Sequence, residues 1–142
     1  MSRMGGEASF REICRENGWR FTRQRLAVWS FVRANRTHPG VVDVLAGVRK
    51  EAPSLTRESA FRILCEFVSA GLISRLDHLP IARFDSSTRM HGHFICLKCG
   101  RIVDFELPSG FDVHVPVGGA VVQTMEVRAS GVCAHCAITL RR

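Results

Sequence analysis

Tyrosine is absent from the 142 residues, so no site in this chain can use a phenolic hydroxyl. Long hydrophobic runs are absent too. The longest apolar stretch, Val113 to Val122, is broken by His114, Pro116 and two glycines, and it is too short to cross a bilayer. The first ten residues carry no apolar segment of signal-peptide length, so the expectations are no membrane and a cytoplasmic location. Acidic residues are scarce: 13 Asp and Glu face 20 Lys and Arg, a formal net charge of +7. No internal repeat or low-complexity tract occurs. No nucleophile–base pair and no phosphate-cradling glycine loop stands out, which argues against an enzyme. What is present is a globular composition, 46% hydrophobic and 23% charged, enough for one domain or two small ones.

Charge and metal ligands divide along the chain. Residues 1–90 hold 15 Lys and Arg against 9 Asp and Glu, whereas residues 91–142 hold 5 against 4. Four of the six His and four of the six Cys lie at or beyond His91. A basic first half suggests an acidic partner, and nucleic acid is the commonest.

The first half has helical periodicity. Phe10, Ile13 and Cys14 share a stripe over 8–16, with Gly18 as a stop. Thr22 can cap a helix carrying Leu26, Trp29 and Val32. His38-Pro39-Gly40 is a loop, and Val41, Leu45 and Val48 mark a short helix ahead of Pro53. Thr56 can cap a fourth helix, with Ala60, Leu64, Phe67 and Val68 inward and Gly71 closing it. Residues 72–78 and 81–85 form a hairpin around Leu79-Pro80. Helices followed by a small hairpin describe a winged helix-turn-helix, whose last helix enters the major groove. Residues 86–90 are a polar connector. Three strands are expected beyond it: His91–Cys96, Arg101–Glu106 and roughly Ala120–Arg128.

Cys96-x-x-Cys99 and Cys133-x-x-Cys136 are two knuckles, and together they supply the four thiolates of a tetrahedral zinc site. The 33 residues between Cys99 and Cys133 must form structure to bring them together. The alternative, disulfides or redox-active pairs, is disfavoured by a reducing cytosol. Four thiolates leave zinc no open position, so the site is structural. Cys14 and Cys65 fall at helix positions suited to small core residues.

The order Gly18-x-Arg20-x-Thr22-x-Gln24-Arg25, His38-Pro39, His91-x-His93-x-x-Cys96-x-x-Cys99-Gly100, Asp104-Phe105 and Cys133-x-x-Cys136 resembles the ferric uptake regulator family, and its peroxide-stress branch in particular. The resemblance implies an α+β chain: a winged-helix DNA-binding domain over 1–85, a hinge at 86–90, and a small α/β dimerisation and metal-binding domain over 91–142. It implies a homodimeric, metal-dependent repressor on double-stranded inverted-repeat DNA. It also implies a regulatory site of His38, Asp85, His91, His93 and Asp104. Three imidazoles and two carboxylates suit Fe(II) or Mn(II), and also Co(II), Ni(II) or Zn(II). His91 and His93 flank Gly92, so on a strand both face one side.

The family positions facing DNA map onto Arg20, Ser59 and Phe61, with Arg23, Arg25, Arg57 and Arg62 as further phosphate or base contacts. Phe61 stands where the family has tyrosine. Its ring can still meet a thymine methyl. Ligands of a further metal site found in many iron-sensing members are replaced by Met90, Gly92 and Met125, which leaves one regulatory site per subunit. The stretch 106–119 is rich in Pro and Gly, so the family helix there is curtailed or absent. The expected signal is hydrogen peroxide, acting through iron-catalysed oxidation of a site histidine. The alternatives are sensing of iron, zinc, manganese or nickel, a metalloenzyme using the His/Asp site, and a zinc-stabilised adaptor.

Overall fold

A computed structural model describes residues 6–77, 79–112 and 114–140 of the chain. The order is α1 (Glu7–Glu16), α2 (Arg23–Ala34), α3 (Val41–Gly47), α4 (Arg57–Ser69), β1 (Ser74–Leu76), β2 (Arg83–Asp85), β3 (Gly92–Cys96), β4 (Ile102–Phe105), β5 (Val127–Gly131) and α5 (Ala134–Leu140). The chain divides into two units, Met1–Thr88 and Arg89–Arg142. The division falls within the polar connector 86–90. No helix among the described residues is long and apolar enough to cross a membrane.

Local chemistry sets the helix ends of the first unit. Thr22 and Thr56 sit in extended backbone and accept N–H bonds from Arg25 (3.1 Å) and Ser59 (3.2 Å). At the other ends, Gly18 and Gly71 take φ near +70° and close α1 and α4 with paired bonds. Trp19 N–H reaches Cys14 C=O and Gly18 N–H reaches Arg15 C=O after α1. Leu72 N–H reaches Phe67 C=O and Gly71 N–H reaches Val68 C=O after α4. The core these helices enclose is aromatic. Phe10 lies 5.9 Å from Trp29 and 6.0 Å from Phe67 between ring centres, and Trp29 lies 5.5 Å from Phe67. Arg25 joins α2 to α4 through Glu66 at 2.7 Å.

β1 and β2 form the antiparallel wing, with Arg75 opposite Phe84. The wing is tied back by Phe84 N–H to Pro39 C=O at 3.0 Å, and by Arg83 to Asp43 of α3 at 3.3 Å. His78 lies outside the described residues.

The second unit is a three-stranded sheet in the order β4-β3-β5, antiparallel on one side and parallel on the other. Two expectations need correction here. The last strand is Val127–Gly131, not roughly Ala120–Arg128. Val121 and Val122 drew the expectation, but both are exposed, because the ladder to β3 pairs Val127 with Gly92 and Gly131 with Cys96. Cys65 is half-buried on α4 rather than a core residue, and Arg75 reaches its sulfur at 3.8 Å. Cys14 is buried as expected. α5 was not foreseen. The segment between β4 and β5 contains no helix among its described residues, in line with its Pro and Gly content.

Gly92 lies under the ring of Phe105, its ladder partner. A Cβ on Gly92 would come within 2.2 Å of that ring. Gly92→Ala should therefore destabilise the fold by roughly 1–3 kcal/mol through overpacking. In a Phe105→Ala background the same change should cost little. Urea unfolding of the four proteins of this cycle measures it, and additive effects would show that the ring does not occupy that space.

Candidate metal centres

The register of β3 against β4 places His93 opposite Asp104. Their Nε2 and Oδ1 atoms are 3.5 Å apart. His91, just ahead of the strand, brings its Nε2 to 3.6 Å from the same carboxylate oxygen and 3.0 Å from His93 Nε2. The two rings meet edge to face at 4.5 Å between centres. His91 Nδ1 lies 2.6 Å from the carbonyl oxygen of Arg89. A carbonyl can only accept, so Nδ1 donates this bond, and Nε2 is the ring atom turned to His93 and Asp104. A carbonyl partner on the other nitrogen is how metal-ligating histidines are commonly held. Both rings are largely buried, while Asp104 stays more open to solvent.

In the first unit His38 and Asp85 form a pair. Nε2 and Oδ2 are 3.7 Å apart, and both side chains are buried. The Pro39–Phe84 backbone bond, one residue along from each, holds the two segments together. The other Asp85 oxygen accepts the Ser87 N–H at 2.8 Å. His38 adopts φ of 56°, a left-handed conformation that favours glycine and that costs about 1–3 kcal/mol in a residue with a side chain. The strain places a buried imidazole beside a buried carboxylate.

The four knuckle cysteines converge as one group. Each offers a sulfur within 4.8 Å of the others. Cys99 and Cys133 sulfurs are 3.9 Å apart, and the Cys133 N–H points to Cys96 Sγ at 3.3 Å. Backbone N–H groups of Cys133, Cys99 and Lys98 favour the Cys96 thiolate, bringing its pKa down to about 6. Cys136 is pushed up to about 12, chiefly by its hydrogen bond to Cys133 and then by burial, so it keeps its proton among the other sulfurs. A divalent cation would take the place of that proton. Four soft donors without an open position fit structural Zn(II), whereas the His and Asp groups form a harder nitrogen and oxygen set. Leu97 N–H bonds Gly131 C=O at 2.7 Å, and α5 begins between Cys133 and Cys136, so β5 and α5 deliver the second knuckle to the first. His135, between two ligands, is exposed.

The residues expected to face DNA have unequal surroundings. Arg20, Arg23, Arg57 and Arg62 are exposed, and Ser59 is half-buried at the start of α4. Arg23 contacts Glu7 at 3.2 Å and Arg62 contacts Glu66 at 3.3 Å. Arg25 is turned inward, with a side chain only 12% exposed, and acts as a packing residue between α2 and α4. Phe61 keeps 37% of its surface exposed. The position that spacing overlooked is Arg75, whose guanidinium lies over Phe61. Only the folded wing brings the two together.

A winged helix joined to a small α/β unit that gathers soft and hard metal ligands defines a metal-responsive transcriptional regulator. The chain belongs to the ferric uptake regulator family, whose profile matches residues 16–114. It is 33% identical over 128 residues to the peroxide-responsive repressor of Staphylococcus saprophyticus, covering 86% of this chain and 85% of that protein. It is 31% identical to the peroxide operon regulator of Bacillus subtilis, covering 88% and 89%. The fold matches the Helicobacter pylori ferric uptake regulator with a TM-score of 0.72 at 22% identity, covering 96% and 97% of the two chains.

Replacing Cys99 with Ser should remove the tightly held zinc and unfold the second unit, since such a site contributes on the order of 10 kcal/mol of folding free energy. Native mass spectrometry after chelator treatment, read with far-ultraviolet circular dichroism, checks this. A Cys99→Ser protein that keeps its zinc and its sheet contradicts it.

Proposed function

We propose that this chain is a homodimeric repressor that binds inverted-repeat operator DNA and releases it when hydrogen peroxide oxidises an iron-site histidine. The observation that carries the reading is the His91, His93 and Asp104 arrangement, with His91 held through Nδ1 by the Arg89 carbonyl. The names of the curated relatives support the peroxide signal.

Cys96, Cys99, Cys133 and Cys136 hold structural zinc. His38 and Asp85 from the first unit and His91, His93 and Asp104 from the second hold Fe(II) or Mn(II). A metal taking ligands from both units restrains the hinge at 86–90. It favours the arrangement that suits DNA by its higher affinity for that arrangement. Arg57, Ser59, Phe61 and Arg62 on α4 face the major groove, and Arg20 and Arg23 reach backbone or minor groove. The exposed apolar residues of the second unit, among them Val103, Phe105, Ile138 and Leu140, supply a surface for a second copy of the chain.

Held by His38, Asp85, His91, His93 and Asp104, Fe(II) would supply the one-electron chemistry that cleaves a peroxide O–O bond. In the net change a ring carbon of His38 or His91 loses two electrons and gains one peroxide oxygen. The other peroxide oxygen leaves as water. An oxidised ring is a poorer ligand, so the restraint on the hinge is lost and DNA is released.

Asp104 sets this sensitivity. It occupies the position where the peroxide branch resembled by the chain has aspartate and many iron-sensing relatives have glutamate. The longer side chain keeps the charge but reaches differently into the site. Asp104→Glu should retain metal-dependent DNA binding and lose much of the peroxide response. In the Fe(II) protein, peroxide should add one oxygen mass to a peptide carrying His38 or His91, with DNA binding falling in step. Mn(II) loading should prevent both. Peptide mass spectrometry and gel shift on the same samples read the outcome. Unmodified histidines with DNA still bound would replace this reading with metal-availability sensing.

A further inference from the structure

α4 exposes one aromatic ring, and the wing holds it. Phe61 is 37% exposed, and a ring so placed would otherwise turn among its rotamers. The Arg75 guanidinium carbon sits 5.2 Å from its centre, within cation–π range. Phe84 meets the same ring edge to face, 6.5 Å away at 70°. Arg75 and Phe84 are directly opposite in the β1–β2 ladder, so the two contacts move as one body. Arg75 is anchored in turn. Its Nε pairs with Asp77, and its Nη1 reaches Cys65 Sγ at 3.8 Å, one helical turn beyond Phe61. The guanidinium therefore spans a turn of α4, and its charge is directed at Asp77 and the ring. Phe61 also lines a groove of about 440 Å³ with Val41, Arg57, Glu58, Ile81 and Phe84. An apolar wall beside a cation suits a base edge bearing a thymine methyl.

We propose that Arg75 is a positioning residue for sequence readout: it fixes the orientation in which Phe61 meets one base pair in each half-site, and it makes no base contact itself. The proposal rests on the DNA-binding reading above and adds to it the residue that sets discrimination at one position.

The experiment selects bound duplexes from a random-sequence library, using the full-length metal-loaded protein, its Arg75→Met, Arg75→Lys and Phe61→Ala variants, and the double variant Phe61→Ala with Arg75→Met. Arg75→Met should reduce discrimination at a single position per half-site by roughly two- to fivefold, the range of an exposed cation–π contact. Phe61→Ala should affect that same position, and the double variant should go no further. Preferences elsewhere, the salt dependence of affinity and metal binding should stay unchanged. Arg75→Lys keeps a cation on an intact wing and should fall between wild type and Arg75→Met. It keeps the test decisive if the methionine variant melts early.

A uniform loss across all sequences, with the salt slope reduced by about one, would make Arg75 a phosphate contact and overturn the proposal. Unaltered preferences in both Arg75 variants would overturn it as well. A wild-type protein that selects no sequence would instead overturn the DNA-binding reading on which it rests.

Discussion

β3 is hydrogen-bonded along both edges, and each ladder assembles one cluster of ligands. The antiparallel ladder to β4 sets His93 against Asp104. The parallel ladder to β5 carries the chain into Cys133 beside Cys96. Alternation along the strand separates the two chemistries. His91 and His93 point to one face, and Gly92, Phe94 and Cys96 to the other. The Phe105 ring over Gly92 backs the histidine pair from behind. A shift of one residue in either ladder would turn a ligand to the wrong face, so the sheet register is the condition for both centres.

β2 has a comparable position in the first unit. Its three residues serve three different neighbours. Arg83 reaches Asp43 of α3, Phe84 packs into the core and against Phe61, and Asp85 pairs with His38. A side chain that would hold metal and one that packs against Phe61 of α4 are thus adjacent in one short strand. The left-handed His38 and the Pro39–Phe84 bond belong to the same tie, which gives a physical reason for keeping a strained residue there.

What could be read in advance was what depends on near neighbours. Thr22, Thr56, Gly18 and Gly71 act within three to five residues, so the helix ends were legible. The cysteine knuckles were legible because two thiols at that spacing have few other uses. The grouping of the histidines and aspartates came from family resemblance, since no local signal ties His38 to Asp85. The errors were nonlocal. Val121 and Val122 have strand-like composition, but pairing with β3 goes to the segment that leads into Cys133. Arg25 looked like one more basic surface residue until Glu66, 41 residues away, was found against it. Arg75 gave no signal at all, because its role exists only once the wing has folded onto α4.

The central claim is that metal couples the two units through ligands drawn from both. Single-molecule energy transfer tests it most directly. Dyes are carried on non-natural residues replacing Lys50 and Asp112, which are exposed in the first and second unit, in protomers mixed with excess unlabelled chain. Zinc is kept at the cysteines throughout. Addition of Mn(II) should convert a broad distance distribution into a narrow one, and His38→Ala should leave it broad at the same Mn(II) concentration. A distribution that is identical with and without Mn(II), in protein shown to bind the ion, would contradict the coupling.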